Sequence, residues 1–364
     1  MKKYISVLLT AALAASLCAC GGSAKAPAGT DAPAETAAES TAAESLAPAG
    51  ESTEAEKAET RELKIVTTIF PEYDWVREVL GEEISHAELT MLLDSGVDLH
   101  SYQPTAKDIM KISTCDMFVY VGGESDGWVD DALKEAVNPD MKIINLLETL
   151  GDKAKGEEVV EGMEADHDHE HEEGEEHDHE HEGPEYDEHV WLSLRNAEEL
   201  VNVIADNLGE IDGANADTYM ANAEAYSEKL AALDKEYRDA ADKGQVKTLL
   251  FGDRFPFRYL TDDYGLDYYA AFVGCSAETE ASFETITFLA QKTDELALPC
   301  VMTIEGTDHR IAETVVGNTA AKDQKILVMD SMQSVTAKDV EAGTTYLGIM
   351  EKNLEVLREA LGAK

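Results

Sequence analysis

The chain has 364 residues, more than one average domain, and its 44% hydrophobic content is enough to fill more than one core, so two lobes are expected. With 29 Lys and Arg against 75 Asp and Glu the formal charge is -46, which repels phosphate polyanions and excludes nucleic acid as a partner. The same surplus draws cations, but it also suits any well-dispersed surface protein, so charge alone does not choose a function.

In chain order, Lys2 and Lys3 precede an apolar run over residues 5–17 that is too short for a permanent membrane span and is followed by small residues, the pattern of an export signal. Its end, Leu17-Cys18-Ala19-Cys20-Gly21, resembles the bacterial lipobox and nominates Cys20 for lipidation. Residues 1–20 are therefore read as a signal and 21–61 as a tether. That tether is mostly Ala, Glu, Ser, Thr, Gly and Pro, with a few other charged residues, a single Leu and no aromatic residue, too polar to offset chain entropy by burial. A flexible segment of this length places the folded part roughly 35 Å from its anchor.

From residue 63 strand and helix patterns alternate. β-rich runs fall at 63–70, 87–93, 117–121 and 142–147, and helical patterns at 72–80, 105–112 and 128–137. The alternation resumes with strands at 248–251, 266–272, 301–305 and 325–330. This predicts an α/β chain of two lobes, each a mostly parallel sheet flanked by helices. Between them Tyr219, Ala223, Tyr226, Leu230, Leu233, Tyr237 and Ala240 recur at spacings of four and three, and residues 214–243 contain neither Pro nor Gly. One long helix follows, packed across both lobes; a coiled-coil dimer seam would give the same stripe, and a monomer is the expectation. The lobes are assigned to 62–212 and 244–364, with the connecting helix at 213–243.

Residues 157–188 stand apart: 17 of the 32 are acidic, none is basic, and six are histidines, His167, His169, His171, His177, His179 and His181. Two near-copies of His-Asp-His-Glu-His offer imidazoles in interchangeable sets, suited to loose, fast capture of zinc, nickel or copper. Outside this tract only His86, His100, His189 and His309 remain. His100 follows a predicted strand and precedes a helix, where open α/β sheets place ligands. His189 precedes Asn196 and Glu199, spaced as a helix capping pair. The folded region has three cysteines, Cys115, Cys275 and Cys300; a Cys275–Cys300 disulfide stays open, and without CxxC spacing no thiolate zinc site is indicated.

Thr67-Thr-Ile-Phe-Pro-Glu-Tyr-Asp-Trp75, His100-Ser-Tyr-Gln-Pro-Thr105, Val119-Tyr-Val-Gly122, His189-Val-Trp-Leu192 with Arg195-Asn-Ala197, Ile304-Glu305 and Ile326-Leu-Val-Met-Asp330 occur in one order over about 300 residues. Together they resemble the solute-binding lipoproteins of zinc and manganese ABC importers, the family that includes metal-binding adhesin-type lipoproteins. The resemblance implies a buried metal between two lobes joined by one long helix, delivered to the permease of a cytoplasmic-membrane importer by a lipid-anchored protein. It implies His100 and His189 as ligands and Asp330 as a carboxylate ligand. At the third position the resemblance expects His or Glu, whereas Gly252-Asp-Arg-Phe-Pro-Phe-Arg-Tyr259 puts Arg254 there, and a protonated guanidinium cannot coordinate a cation. Asp253, one residue away, is the nearest substitute, with Glu305, His309 and Glu280 as alternatives.

The expectation is a binder, not an enzyme, holding zinc, or manganese if carboxylates dominate the site. Two rivals remain at this stage: a surface zinc buffer or adhesin without transport, and a zinc-dependent hydrolase, against which no HExxH motif is present.

Overall fold

Two sheets of four parallel strands carry the architecture of this computed structural model, which describes residues 62–164, 185–276, 278–306 and 308–363. The first has the order β2-β1-β3-β4, with β1 at Leu63–Thr67, β2 at Ala87–Met91, β3 at Met117–Tyr120 and β4 at Lys142–Asn145. The second has the order β6-β5-β7-β8, with β5 at Thr248–Phe255, β6 at Asp267–Val273, β7 at Cys300–Ile304 and β8 at Lys325–Met329. Parallel pairing demands crossovers, supplied by α1 (Phe70–Leu80), α2 (Ala106–Thr114) and α3 (Val129–Lys134) in the first sheet and by α7 (Arg258–Tyr264), α8 (Phe283–Glu295) and α9 (Arg310–Asn318) in the second, while α4 (Leu146–Leu150) follows β4 and α10 (Ala337–Glu341) and α11 (Tyr346–Ala360) follow β8. Between the two sets lie α5 (Leu194–Ile211) and α6 (Ala216–Lys243). β3 and β7 are buried along their whole length, as unbroken apolar runs in parallel sheets should be.

Local chemistry sets the boundaries. The backbone N–H groups of Thr68 and Ile69 and the Thr68 hydroxyl all donate to the Glu72 carboxylate, at 2.8, 3.2 and 3.0 Å, so this glutamate caps α1. Pro71 is accommodated in the first turn, where no N–H partner is needed, and α1 therefore starts two residues before the predicted 72–80. At α5 the cap is Ser193, whose hydroxyl accepts from Asn196 N at 3.1 Å; the capping role expected of Asn196 and Glu199 falls three residues earlier.

α6 runs 28 residues, about 42 Å at helical rise. All seven residues of its predicted stripe are buried, against α5, α1 and α11, so that face is used within the chain and none of it is left for a coiled-coil seam. A single apolar cluster takes in both sheets and α6, while a smaller one lies between the second sheet (β5, β6 and β7) and the helices α8 and α9. Polar ties add to it: Trp191 Nε1 donates to Ser331 O at 2.9 Å, the Tyr346 hydroxyl donates to Trp191 O at 2.6 Å, and Ala337 N donates to Asp94 O at 2.8 Å. Cys115, Cys275 and Cys300 are free thiols, so the Cys275–Cys300 pairing left open does not form.

Candidate metal centre

The loops that leave the C-terminal ends of the strands in the two sheets converge, the place where open parallel sheets bind ligands. His100 lies in a single 3-10 turn, Leu99–Ser101, opened by Asp98, whose carboxylate accepts from His100 N at 3.0 Å. His189 sits just before the Val190–Leu192 turn and is fully buried. Its backbone N–H and its Nδ1 both lie 2.9 Å from Asp187 Oδ1, which fixes the ring. His100 Nδ1 is held in the same manner, 2.8 Å from the Ser125 hydroxyl and 3.3 Å from Glu188 Oε2. The outcome is that the two Nε2 atoms face each other at 3.3 Å.

This is the arrangement expected of imidazole metal ligands: Nδ1 carries the proton and donates to an oxygen, leaving the Nε2 lone pair for the ion. Among the described residues, one group of His, Cys, Asp or Glu places a donor atom from each of three side chains within 4.8 Å of one another: His100, His189 and Cys275. No CxxC spacing marks this cysteine in the sequence; Cys275 comes to the two imidazoles from a different loop. Cys275 follows β6, and its N–H donates to Glu157 Oε1 at 3.1 Å. Burial pushes its thiol well up, and the charges of Asp187, Glu157 and Glu188 add to that. Glu188 itself is raised by burial, but hydrogen bonds from His100 and Ser125 outweigh this and hold it below its ordinary value.

Gln333 completes the surroundings, with its amide 3.1 Å from His189 Nε2. Turned so that its NH2 donates to Asp98, at 3.2 and 3.3 Å, the amide has its oxygen accepting from the Ser331 hydroxyl and from His189 Nε2, a pairing that needs a proton on that nitrogen and that an ion on Nε2 would displace.

The carboxylates fall elsewhere. Asp330 accepts from Met332 N at 2.8 Å, its own N–H donates to Asn353, and it does not join the imidazole group; burial, then the charge of Glu305, push it up to about 6. Glu305 accepts from Ser331 N, Ser331 Oγ and Gln333 N. Between Phe251 and Arg254 β5 breaks register with β6, and this irregularity re-aims both residues of interest. Asp253 turns to Thr303 Oγ1 at 2.6 Å, Arg254 N at 2.9 Å and Ile304 N at 3.3 Å, while Arg254 forms an ion pair with Asp98. Arg258 pairs instead with Glu158 at 2.8 Å. His309 starts α9 with φ 58° and has Nδ1 3.2 Å from Thr303 Oγ1, and Glu280 is exposed in the β6–α8 loop.

His100 lines two cavities. One, about 340 Å³, is bordered by Asp98, Asp253, Arg254 and His309; the other, about 270 Å³, by Glu157, Glu185, Glu188 and Cys275. The ends of the acidic tract meet beside the second, where Glu157 N donates to Glu185 O at 2.9 Å and Asp187 N to Lys155 O at 2.8 Å. The six tract histidines and Cys20 lie outside the described residues.

Sequence reasoning missed Cys275, Gln333, Asp187 and Glu188. The contiguous Asp187-Glu188-His189 was a usable signal, because a carboxylate two residues before a ligating histidine can reach its Nδ1; nothing local marks Gln333.

Residues 65–360 match the family model described as zinc-uptake complex component A, periplasmic. The chain is 33% identical over 300 residues to the zinc-binding lipoprotein AdcA of Streptococcus pneumoniae serotype 4, covering 82% of this chain and 55% of that one. It thus spans about half the length of the curated relatives it matches first. It is 30% identical over 302 residues to the high-affinity zinc uptake system protein ZnuA of Bacillus subtilis, covering 83% and 88% of the two chains. The crystal structure of the Zn(II)-bound ZnuA-like domain of Streptococcus pneumoniae AdcA superposes with a TM-score of 0.63 at 29% identity, over 82% of this chain and 99% of that one. With a two-lobed parallel fold, a converging pair of buried imidazoles and a match over residues 65–360, the chain belongs to the zinc-uptake complex component A family.

Proposed function

We propose that this chain captures zinc outside the cytoplasm and delivers it to the permease of an ABC importer, in keeping with its relatives AdcA, a zinc-binding lipoprotein, and ZnuA, a protein of a high-affinity zinc uptake system. One observation carries the reading: two imidazole Nε2 atoms 3.3 Å apart, each ring braced at Nδ1, where the two lobes meet. Nitrogen donors in a compact site favour zinc over manganese. The export signal, Cys20 and the polar tether support a receptor held at the outer face of the cytoplasmic membrane within reach of its importer, and the use of the α6 stripe within the chain supports a monomer. The tract histidines collect ions loosely and raise their local concentration beside the tight site, and the carboxylate-lined cavity at His100 offers a route inward.

Calorimetry on the full chain tests this. Zinc should bind one tight site and manganese far more weakly, and His100→Ala or His189→Ala should each weaken the zinc site by more than about 100-fold, since a fixed ligand should matter at least as much as the residues that orient it. Unchanged tight binding in both variants would refute the assignment. Turnover of esters or peptides above the rate given by free zinc would favour the hydrolase rival instead.

A further inference from the structure

We propose that Cys275 Sγ is the third protein donor to the captured ion, giving two imidazole nitrogens and one thiolate in place of the third imidazole and carboxylate that the resemblance implies; this rests on reading His100 and His189 as ligands. Around a tetrahedral zinc ion, nitrogens at about 2.0–2.1 Å and sulfur at about 2.3 Å leave neighbouring donor atoms about 3.3 to 3.6 Å apart. The two Nε2 atoms already stand at 3.3 Å, and the three donors, one from each side chain, lie within 4.8 Å of one another. Closing the site asks about 1 Å of movement from a cysteine carried on a loop.

The competing donors are engaged in other directions. Asp330 turns to Met332 N, Asp253 to Thr303 and Ile304 N, and Glu305 to Ser331 and Gln333 N. Arg254, at the position where the resemblance expects an imidazole, is taken up by Asp98. The C-lobe therefore lacks a donor on the β5 side and has one on the β6 side.

The β6–α8 loop is shaped to bring it there. At Gly274 an added Cβ would stand 2.9 Å from Phe255 O and 3.0 and 3.1 Å from His189 Cε1 and Nδ1, so only glycine lets the backbone lie flat against the imidazole. The next residue is Cys275, anchored through its N–H to Glu157. Beside His189 Nε2, at 3.1 Å, the Gln333 amide is a neutral neighbour for the fourth position. A sulfur donor makes the site softer than carboxylate ligation would, favouring zinc and cadmium and disfavouring manganese.

Cobalt(II) loaded into the full-length protein is the probe. The wild-type complex should show an intense near-ultraviolet sulfur-to-cobalt charge-transfer band, an observation that needs no variant to fold. Cys275→Ser should lose the band and bind zinc about 10- to 100-fold more weakly in chelator competition, with its circular dichroism unchanged. A cobalt-loaded wild type without the band, or Cys275→Ser holding zinc within twofold of wild type, would overturn the thiolate. If zinc binding depends on His100 and His189 but not on Cys275, only this inference falls; if the wild type takes up neither metal, the functional reading falls with it.

Discussion

The two halves of the metal centre are built differently. The N-lobe half is braced: His100 and His189 each have Nδ1 tied to Ser125 and Glu188 or to Asp187, and both rings present Nε2 to the same point. The C-lobe half is rearranged: the β5 irregularity sends Asp253 into its own sheet and Arg254 to Asp98, while Cys275 and Gln333 approach from other loops. Ligands whose orientation depends on neighbouring residues in the chain are fixed by those neighbours. Donors that depend only on being near the right point can be exchanged between loops that end at the same sheet edge.

Three perturbations would break or sharpen this contrast. The largest effect is expected from Gly274→Ala, whose Cβ would press on Phe255 O and on the His189 ring, displacing a braced ligand and the Cys275 loop together; zinc affinity should fall about 10- to 100-fold. Chelator competition would show it, and an affinity within twofold of wild type would mean that the loop does not position the site. Asp253→Ala and Arg254→Ala should matter much less. Asp253 faces Thr303 and Arg254 pairs with Asp98, and neither is assigned to the ion, so zinc affinity should shift by less than about fivefold even where stability falls. A 100-fold loss in either would return the third ligand to β5. The smallest change in the tight site is expected on deleting residues 166–182: calorimetry should lose the weak sites of the six tract histidines and keep the tight one. Loss of the tight site would erase the distinction between capture and holding.

Much of the fold was legible. Every predicted strand segment contains a strand, because apolar runs bounded by turn residues are what a parallel sheet needs on both faces. The stripe from Tyr219 to Ala240 gave α6 because its period matches a helix face that is buried throughout. Boundaries slipped where capping chemistry overrode pattern, at Glu72 on α1 and Ser193 on α5. In the site, the imidazoles could be found because histidines are scarce outside the tract and two of them sit in recognisable segments. Cys275 and Gln333 could not. Their meeting with His189 depends on how β6 and β8 lie relative to the segment before α5, a tertiary relation with no spacing in sequence. The register break at Gly252-Asp253 is equally invisible, and it decides that Asp253 faces Thr303.

X-ray absorption at the zinc edge of the zinc-loaded full-length protein tests the central claim most directly, because it reads the atoms bound to the ion. Two imidazole nitrogens at about 2.0–2.1 Å with one sulfur at about 2.3 Å is the predicted sphere. A sphere of nitrogen and oxygen alone, or one without the outer-shell scattering of two imidazole rings, would contradict it.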